Sequence, residues 1–363
     1  MKQNIHSSFR LNGVSMGNDI EAFCKQARQT FATDEQSAAY GQDILDFIRR
    51  YMDDSDTLVC RTSGSTGKPK PIRLEKKRME ASARLTCQRF GLPEGIRVLL
   101  CLPVSYIAGQ MMIVRALVTG WHLEATIPSS LFLERTEGRF DFAAVVPMQL
   151  YQSIDELHRV RTILVGGGSI SEGFLDNLKI MELPGTSIYQ SYAMTETITH
   201  VAVREVFPKL EACYTALEGI NFSLSSEGTL VVEAPAVAKD ILITRDVAEL
   251  LDNRRFIWRG RADTAINSGG IKIFPEDTEA ILSKVITGNF FVAGIPDDRL
   301  GTRQVLFVEG RKEDYPDLEP FIAEHLDTYH RPKGTVFIPC FPQTHTGKTD
   351  RKKITEDYID SLR

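Results

Sequence analysis

The chain has 363 residues, of which 42% are apolar and 25% charged, and its formal net charge is −5. That composition excludes a disordered or fibrous chain. The acidic balance argues against a broad nucleic-acid footprint, so basic clusters are local in purpose. No apolar run is long enough to cross a bilayer and no charged-then-apolar leader opens the chain; the six cysteines, none in a CxxC pair, read as buried free thiols, and the cytoplasm is the expected location.

In chain order, Ile20, Phe23, Ala27 and Phe31 recur at helical spacing. Tyr40, Ile44, Ile48 and Tyr51 do so again after a Thr33-x-x-Gln36 capping pattern. From residue 57 the texture changes to short apolar runs, "TLVC", "RVLLCLP", "FAAVVP", "RTILVGGG" and "SIYQSY", between helical stretches. Such runs predict strands buried on both faces of a parallel sheet, with ligand-binding loops where they end in Gly, Ser or Pro. Residues 217 to 259 predict smaller antiparallel strands. A second domain is expected to begin near Arg261, with an amphipathic helix opening at Pro275 and strands over "FFVAGIP" and "RQVLFVEG".

The run "TSGSTGKPK" at 62 to 70 follows an apolar strand and combines glycines, hydroxyls and lysines, the chemistry of a phosphate cradle. It is not a Walker loop: Thr62 stands where the first glycine belongs, and Pro69 replaces the Ser or Thr after Lys68.

Four further stretches follow: "GGGS" (166 to 169), "QSYAMTET" (190 to 197), "ITRDVAEL" (243 to 250) with "RGRADTAINSGG" (259 to 270), and "PQTHTGKTDRKK" (342 to 353). In this order and spacing the set resembles the adenylate-forming superfamily of acyl-CoA synthetases, from about residue 57 to the C-terminus. The resemblance implies an α/β fold with two parts joined by a hinge at Asp263. A large N-terminal adenylation domain over 1–260 would have mostly parallel sheets flanked by helices plus a small β-rich part. A small mobile α+β C-terminal domain over 261–363 would carry the catalytic lysine.

It also implies a role for each matching residue. Thr62, Ser63, Gly64, Ser65, Thr66, Gly67 and Lys68 would hold the β- and γ-phosphates of ATP. Gly166, Gly167 and Gly168 would flank adenine, Tyr192 would stack on it, and Thr195 would contact the α-phosphate. Glu196 would ligate Mg²⁺, Asp246 would accept the ribose hydroxyls, and Arg261 would reach the ribose. In relatives glycine usually precedes that aspartate, where this chain has Arg245. Lys348 would bridge the attacking carboxylate and the α-phosphate, stabilising charge that develops in the transition state. Ser268, Gly269 and Gly270 would line the tunnel for the CoA thiol arm.

"LPVSYIAGQMMIVRAL" (102 to 117) lies where relatives carry an aromatic-His-x-x-Gly motif, with Tyr106 replacing the histidine. Together with "VPMQL" and "GIPDDRLGTRQVLFVEG" it is similar to the o-succinylbenzoate:CoA ligases of menaquinone synthesis. That likeness implies a small carboxylic acid, ATP and CoA as partners, with the acid facing Tyr106, Ser105, Gln110, Thr197 and His200. Other acid:CoA ligases, adenylation enzymes that load a carrier protein, and homo-oligomers stay open at this stage.

Overall fold

The structure, a computed structural model, describes residues 5–61, 71–343 and 349–362. A short antiparallel hairpin, Arg10–Leu11 with Val14–Ser15, opens it, and two helices follow. Ile20–Gln29 is capped by the Asp19 carboxylate, which accepts from the backbone N–H of Glu21 and Ala22, and it buries Phe23, Cys24 and Ala27. Glu35–Met52 is capped by Asp34 rather than Thr33. The Asp34 carboxylate accepts from the Ser37 N–H, and the Thr33 hydroxyl donates to Asp34 instead of accepting from a helix N–H. This helix turns Tyr40, Ile44, Ile48 and Tyr51 inward.

Among the described residues thirteen strands form one sheet. Arg97–Leu100, His122–Ala125, Phe140–Val145, Val160–Val165 and Ser187–Ala193 pair in parallel, and of these all but His122–Ala125 were predicted from the apolar runs. Helices such as Ile107–Thr119 make the crossovers, as parallel pairing requires. Arg97–Leu100 pairs with His122–Ala125 on one side and Phe140–Val145 on the other, so the winding reverses direction there. Loops at the carboxyl ends of such strands form a crevice.

From Ser187–Ala193 onward the sheet turns antiparallel, through His200–Phe207 and Tyr214–Ala216 to Arg255–Arg261, Leu242–Leu250, Thr229–Glu233 and Asn221–Leu224. The run "TLVC" departs from expectation. Thr57–Arg61 pairs antiparallel with Pro71–Glu75 as a separate two-stranded sheet, and Val59 on it is 50% exposed.

A second sheet of five strands begins at Ile266–Ser268. Strand alternation splits its core in two. Val292, Leu306 and Val308 face the helices Pro275–Leu282 and Leu318–His325, while Phe291, Val305 and Phe307 face Arg351–Ser361. Between the sheets, Arg261 holds Asp263 through two hydrogen bonds of 2.9 and 2.8 Å, and the Thr264 hydroxyl donates to Glu276 at 2.8 Å. Gly260, at φ +140°, has no room for a side chain: a Cβ there would stand 2.7 Å from Glu276 Oε2.

Candidate functional site

A cavity of about 600 Å³ opens at the carboxyl ends of the parallel strands. Its walls come from five strand-following loops: Leu102 to Gly109, Pro128 to Ser130, Val146 to Gln149, Gly166 and Gly167, and Ala193 to Thr195. Gln149 ties three of these loops together. Its Oε1 accepts from the Val146 N–H at 3.1 Å, and its Nε2 donates to the carbonyls of Cys101 and Ser129 at 2.9 and 3.0 Å. Gly109 starts the next helix so close to the strand end that a Cβ would lie 2.4 Å from the Pro103 carbonyl.

Of the residues expected at an acid, Tyr106 and His200 line the cavity. Ser105 is exposed and is not in its wall. Gln110 and Thr197 are spent internally. The Gln110 amide donates to the Val104 carbonyl and accepts from the Cys60 thiol, and the Thr197 hydroxyl sits 3.0 and 2.8 Å from the carbonyls of Met194 and Thr199.

The deep wall holds a group that belongs to the run "LPVSYIAGQMMIVRAL" but was not among the residues expected at the acid. Arg115, on the helix Ile107–Thr119, is 2% exposed and lines the cavity with Thr199 and His200. Its Nε donates to the Thr86 hydroxyl at 3.1 Å and an Nη to the Thr199 hydroxyl at 3.2 Å; its other Nη meets only the Met112 sulfur, at 3.6 Å. Among the described residues no carboxylate pairs with it. Burial pushes its pKa down to about 10.

The Thr86 hydroxyl donates to the Ser82 carbonyl, so its lone pairs are left to accept from Arg115 and from His200 Nε2, 3.4 Å away. That arrangement assigns the Nε2–H tautomer to His200. Burial first, then the charges of Arg115 and Arg89, hold this imidazole far below its ordinary pKa and therefore neutral. The sequence-level signal for Arg115 was a lone cation inside an apolar helical run.

At the other end of the site, Ser187–Ala193 runs into a 3₁₀ turn, Thr195–Thr197. Thr195 lines the cavity, and Glu196 is exposed, with no hydrogen bond or ion pair to another described residue. The turn closes through Ile198 at φ +67°, ψ −65°, where the Thr199 N–H donates to the Thr197 carbonyl at 2.8 Å. This is a γ-turn in its strained, left-handed form. It links Thr195 to Thr199 and His200 through three residues.

Gly166 and Gly167 line the cavity, and Gly168 follows them against Pro147. Tyr192 is buried behind the wall, its ring edge-on to Phe256 at 5.1 Å, and its hydroxyl donates to Asp246 Oδ2 at 2.6 Å. Trp258 Nε1 donates to Asp246 Oδ1 at 3.2 Å, and Arg261 stands 3.9 Å from the same oxygen. Trp258 was not anticipated; it reaches Asp246 because Leu242–Leu250 and Arg255–Arg261 are adjacent strands, with Asp246 opposite Arg261. Ser268 ends the strand Ile266–Ser268, and Gly269 and Gly270 make the hairpin turn into Ile271–Ile273. The expected phosphate-binding residues 62 to 68 and Lys348 lie outside the described residues.

The donor set fits the groups the resemblance implies. The Asp246 carboxylate offers about four lone-pair directions, of which Tyr192 and Trp258 take two, leaving a pair for a vicinal diol. Glu196 offers one uncommitted carboxylate, and among the described residues no cluster of three or more metal-ligating side chains exists. One carboxylate completed by substrate phosphates is the usual coordination of Mg²⁺.

Among known proteins, the AMP-binding enzyme family matches residues 23–231. The 2-succinylbenzoate–CoA ligase of Listeria monocytogenes is 26% identical over 328 residues, covering 82% of this chain and 69% of that protein. A probable 2-succinylbenzoate–CoA ligase of Mycobacterium tuberculosis is 27% identical, covering 86% and 87%. Of solved structures, an acyl-CoA synthetase (AMP-forming)/AMP-acid ligase II-like protein from Dyadobacter fermentans is 33% identical with a TM-score of 0.59, covering 93% of this chain and 98% of that one. The o-succinylbenzoate CoA synthetase of Bacillus subtilis, in complex with its acyl-adenylate intermediate, shares the fold with a TM-score of 0.71 at 22% identity, over 82% and 68% of the two chains.

Proposed function

Because the chain belongs to the AMP-binding enzyme family, we propose that it is an AMP-forming acid:CoA ligase whose acid is o-succinylbenzoate. The acid is activated by ATP to an acyl adenylate with release of diphosphate, and the adenylate is then passed to CoA with release of AMP.

The nucleotide lies across the Gly166 to Gly168 turn with its ribose hydroxyls on Asp246. Tyr192 and Trp258 fix that carboxylate from behind, so Tyr192 acts through Asp246 as well as on the base. Thr195 presents its hydroxyl to the α-phosphate. Glu196 would hold Mg²⁺, which supplies charge neutralisation on the phosphate oxygens. Thr62 to Lys68 hold the departing diphosphate, and Lys348 stabilises the charge that builds between carboxylate and phosphorus.

The domain division at 261 and the hinge at Asp263 serve the second half-reaction. Water must be excluded while the adenylate forms, and a thiol admitted afterwards. The C-terminal part swings about Asp263, withdrawing Lys348 and bringing Ser268, Gly269 and Gly270 to the thiol arm.

One observation carries the choice of acid: a buried guanidinium without a carboxylate partner lines the deep wall of the cavity. A buried cation of that kind calls for an anion. An acid with two carboxylates supplies it, one group reacting at the phosphate and the other resting on Arg115, Thr199 and Tyr106. Neutral His200 adds a polar contact without competing for the anion as a second charge.

The test is incubation with ATP, Mg²⁺, CoA and o-succinylbenzoate beside benzoate and fatty acids, with mass-spectrometric detection of thioesters. O-succinylbenzoyl-CoA with stoichiometric AMP is the expected result. A thioester formed only from a monocarboxylic acid would refute the acid assignment, and absence of AMP with every acid would refute the ligase.

A further inference from the structure

A second cavity, about 740 Å³, opens at the opposite edge of the large sheet, by the amino-terminal ends of Val160–Val165 and Ser187–Ala193. Its walls combine two arginines with aromatic rings. Arg89 ends the helix Lys76–Phe90 with its guanidinium carbon 5.7 Å from the Phe90 ring centroid and 5.6 Å from that of Tyr189. Arg161 projects, exposed, from the neighbouring strand.

Neither arginine is neutralised. Arg89 Nε is buried with no hydrogen-bond partner, and among the described residues no carboxylate stands within ion-pair distance of either guanidinium. Glu205 feels the charge of Arg89 only from beyond that distance. Glu182 is the one carboxylate in the lining, so the cavity carries two positive charges against one negative. A buried N–H without a partner is costly, and native folds leave few of them.

We propose that this cavity is a binding site for a planar aromatic anion, distinct from the nucleotide and acid site. Its carboxylate lies between Arg89 and Arg161, satisfying the Arg89 Nε–H, and its ring lies along Phe90 and Tyr189. The volume is that of an ordinary small-molecule site. An occupant there touches Phe90, which packs against His200 in the wall of the first cavity. The Phe90 ring centroid is 6.4 Å from that of His200, and Thr86, one helical turn earlier, lies against the His200 Nε2.

The probe is 2-naphthoate, titrated by calorimetry into the full-length protein, into Arg89→Gln, Arg161→Gln and the double variant, and into Arg115→Met, which disables the first cavity. Ligase turnover of the arginine variants at the second site reports their folding. Expected are a naphthoate isotherm in the unmodified protein, about tenfold weaker binding for each glutamine variant, as loss of a charged hydrogen bond gives, and no change for Arg115→Met. A crystal soaked with naphthoate shows the molecule against Arg89. No binding by the unmodified protein, an unchanged isotherm in the folded double variant, loss of binding with Arg115→Met, or naphthoate found only in the first cavity each overturns the proposal.

Discussion

Arg115→Met is expected to leave the fold standing while removing recognition of a second carboxylate. Burial lowers the Arg115 pKa from its ordinary value to about 10, a folding penalty of about 3 kcal/mol. The sign follows from the direction. A base whose folded pKa is depressed is harder to charge in the fold, so the penalty is present in full below pH 10 and lifts only as pH climbs above it. Against it stand the hydrogen bonds to Thr86 and Thr199, about 1.5 kcal/mol each. The two contributions nearly cancel, and methionine refills much of the volume among Met112 and its neighbours. Urea unfolding at pH 7.5 should therefore give a stability within about 1 kcal/mol of the unmodified protein. With a dicarboxylic acid, kcat/KM should fall roughly 10²-fold, as expected for a lost buried charge contact, whereas the same acid without its spectator carboxylate should change little. A loss of 3 kcal/mol or more in stability, or equal loss of activity on both acids, would show that the guanidinium is there to hold the helix and not the substrate.

Lys348→Ala should slow adenylate formation by roughly 10² to 10³ while sparing thioester formation from supplied acyl adenylate, which single-turnover assays of each half-reaction can separate. Equal slowing of both steps would contradict the swing about Asp263. Asp246→Ala should weaken ATP binding by at least about tenfold in calorimetry, because the variant loses the diol acceptor and strands the Tyr192 hydroxyl and Trp258 N–H; unchanged affinity removes Asp246 from the ribose. His200 is neutral in the fold, whereas an unfolded histidine takes a proton below about pH 6.5. Stability should therefore decline as pH falls through and below 6.5, and His200→Asn should flatten that decline; identical slopes between pH 7.5 and 5.5 for the two proteins would contradict a buried neutral imidazole.

Much of the fold could be read from the chain because strands buried on both faces advertise themselves as short apolar runs. "RVLLCLP", "FAAVVP" and "RTILVGGG" each gave a parallel strand whose end reaches the cavity. "TLVC" has the same texture but a different fate, because its partner "PIRLE", with Ile72 and Leu74 alternating with charged residues, lies beyond the glycine-rich run and pairs with it antiparallel outside the large sheet. Asp is a better N-cap than Thr, and the extended backbone at Asp34 brings its carboxylate to the Ser37 N–H.

The same limit governs the site. Tyr106, His200 and Thr195 are side chains of the right type that also face the cavity, whereas Gln110 and Thr197 are of the right type but spent on nearby carbonyls. Residue type alone does not separate those cases. Nor does local sequence place Trp258 beside Asp246, since that contact depends on register between two antiparallel strands.

The γ-turn at Ile198 has a consequence for how this protein could change its acid. A β-branched residue in that conformation is strained by about 1 to 3 kcal/mol, and Ile198 is held there by being almost wholly buried. It works as a rigid clasp between the phosphate end and the acid end of the crevice, so His200 and Thr199 cannot be displaced without dragging Thr195 along. Tyr106, Ser129 and Met148, by contrast, ride on separate loops across the opening. New specificities should accumulate on those three positions, with the clasp left as the fixed jaw against which successive acids are measured.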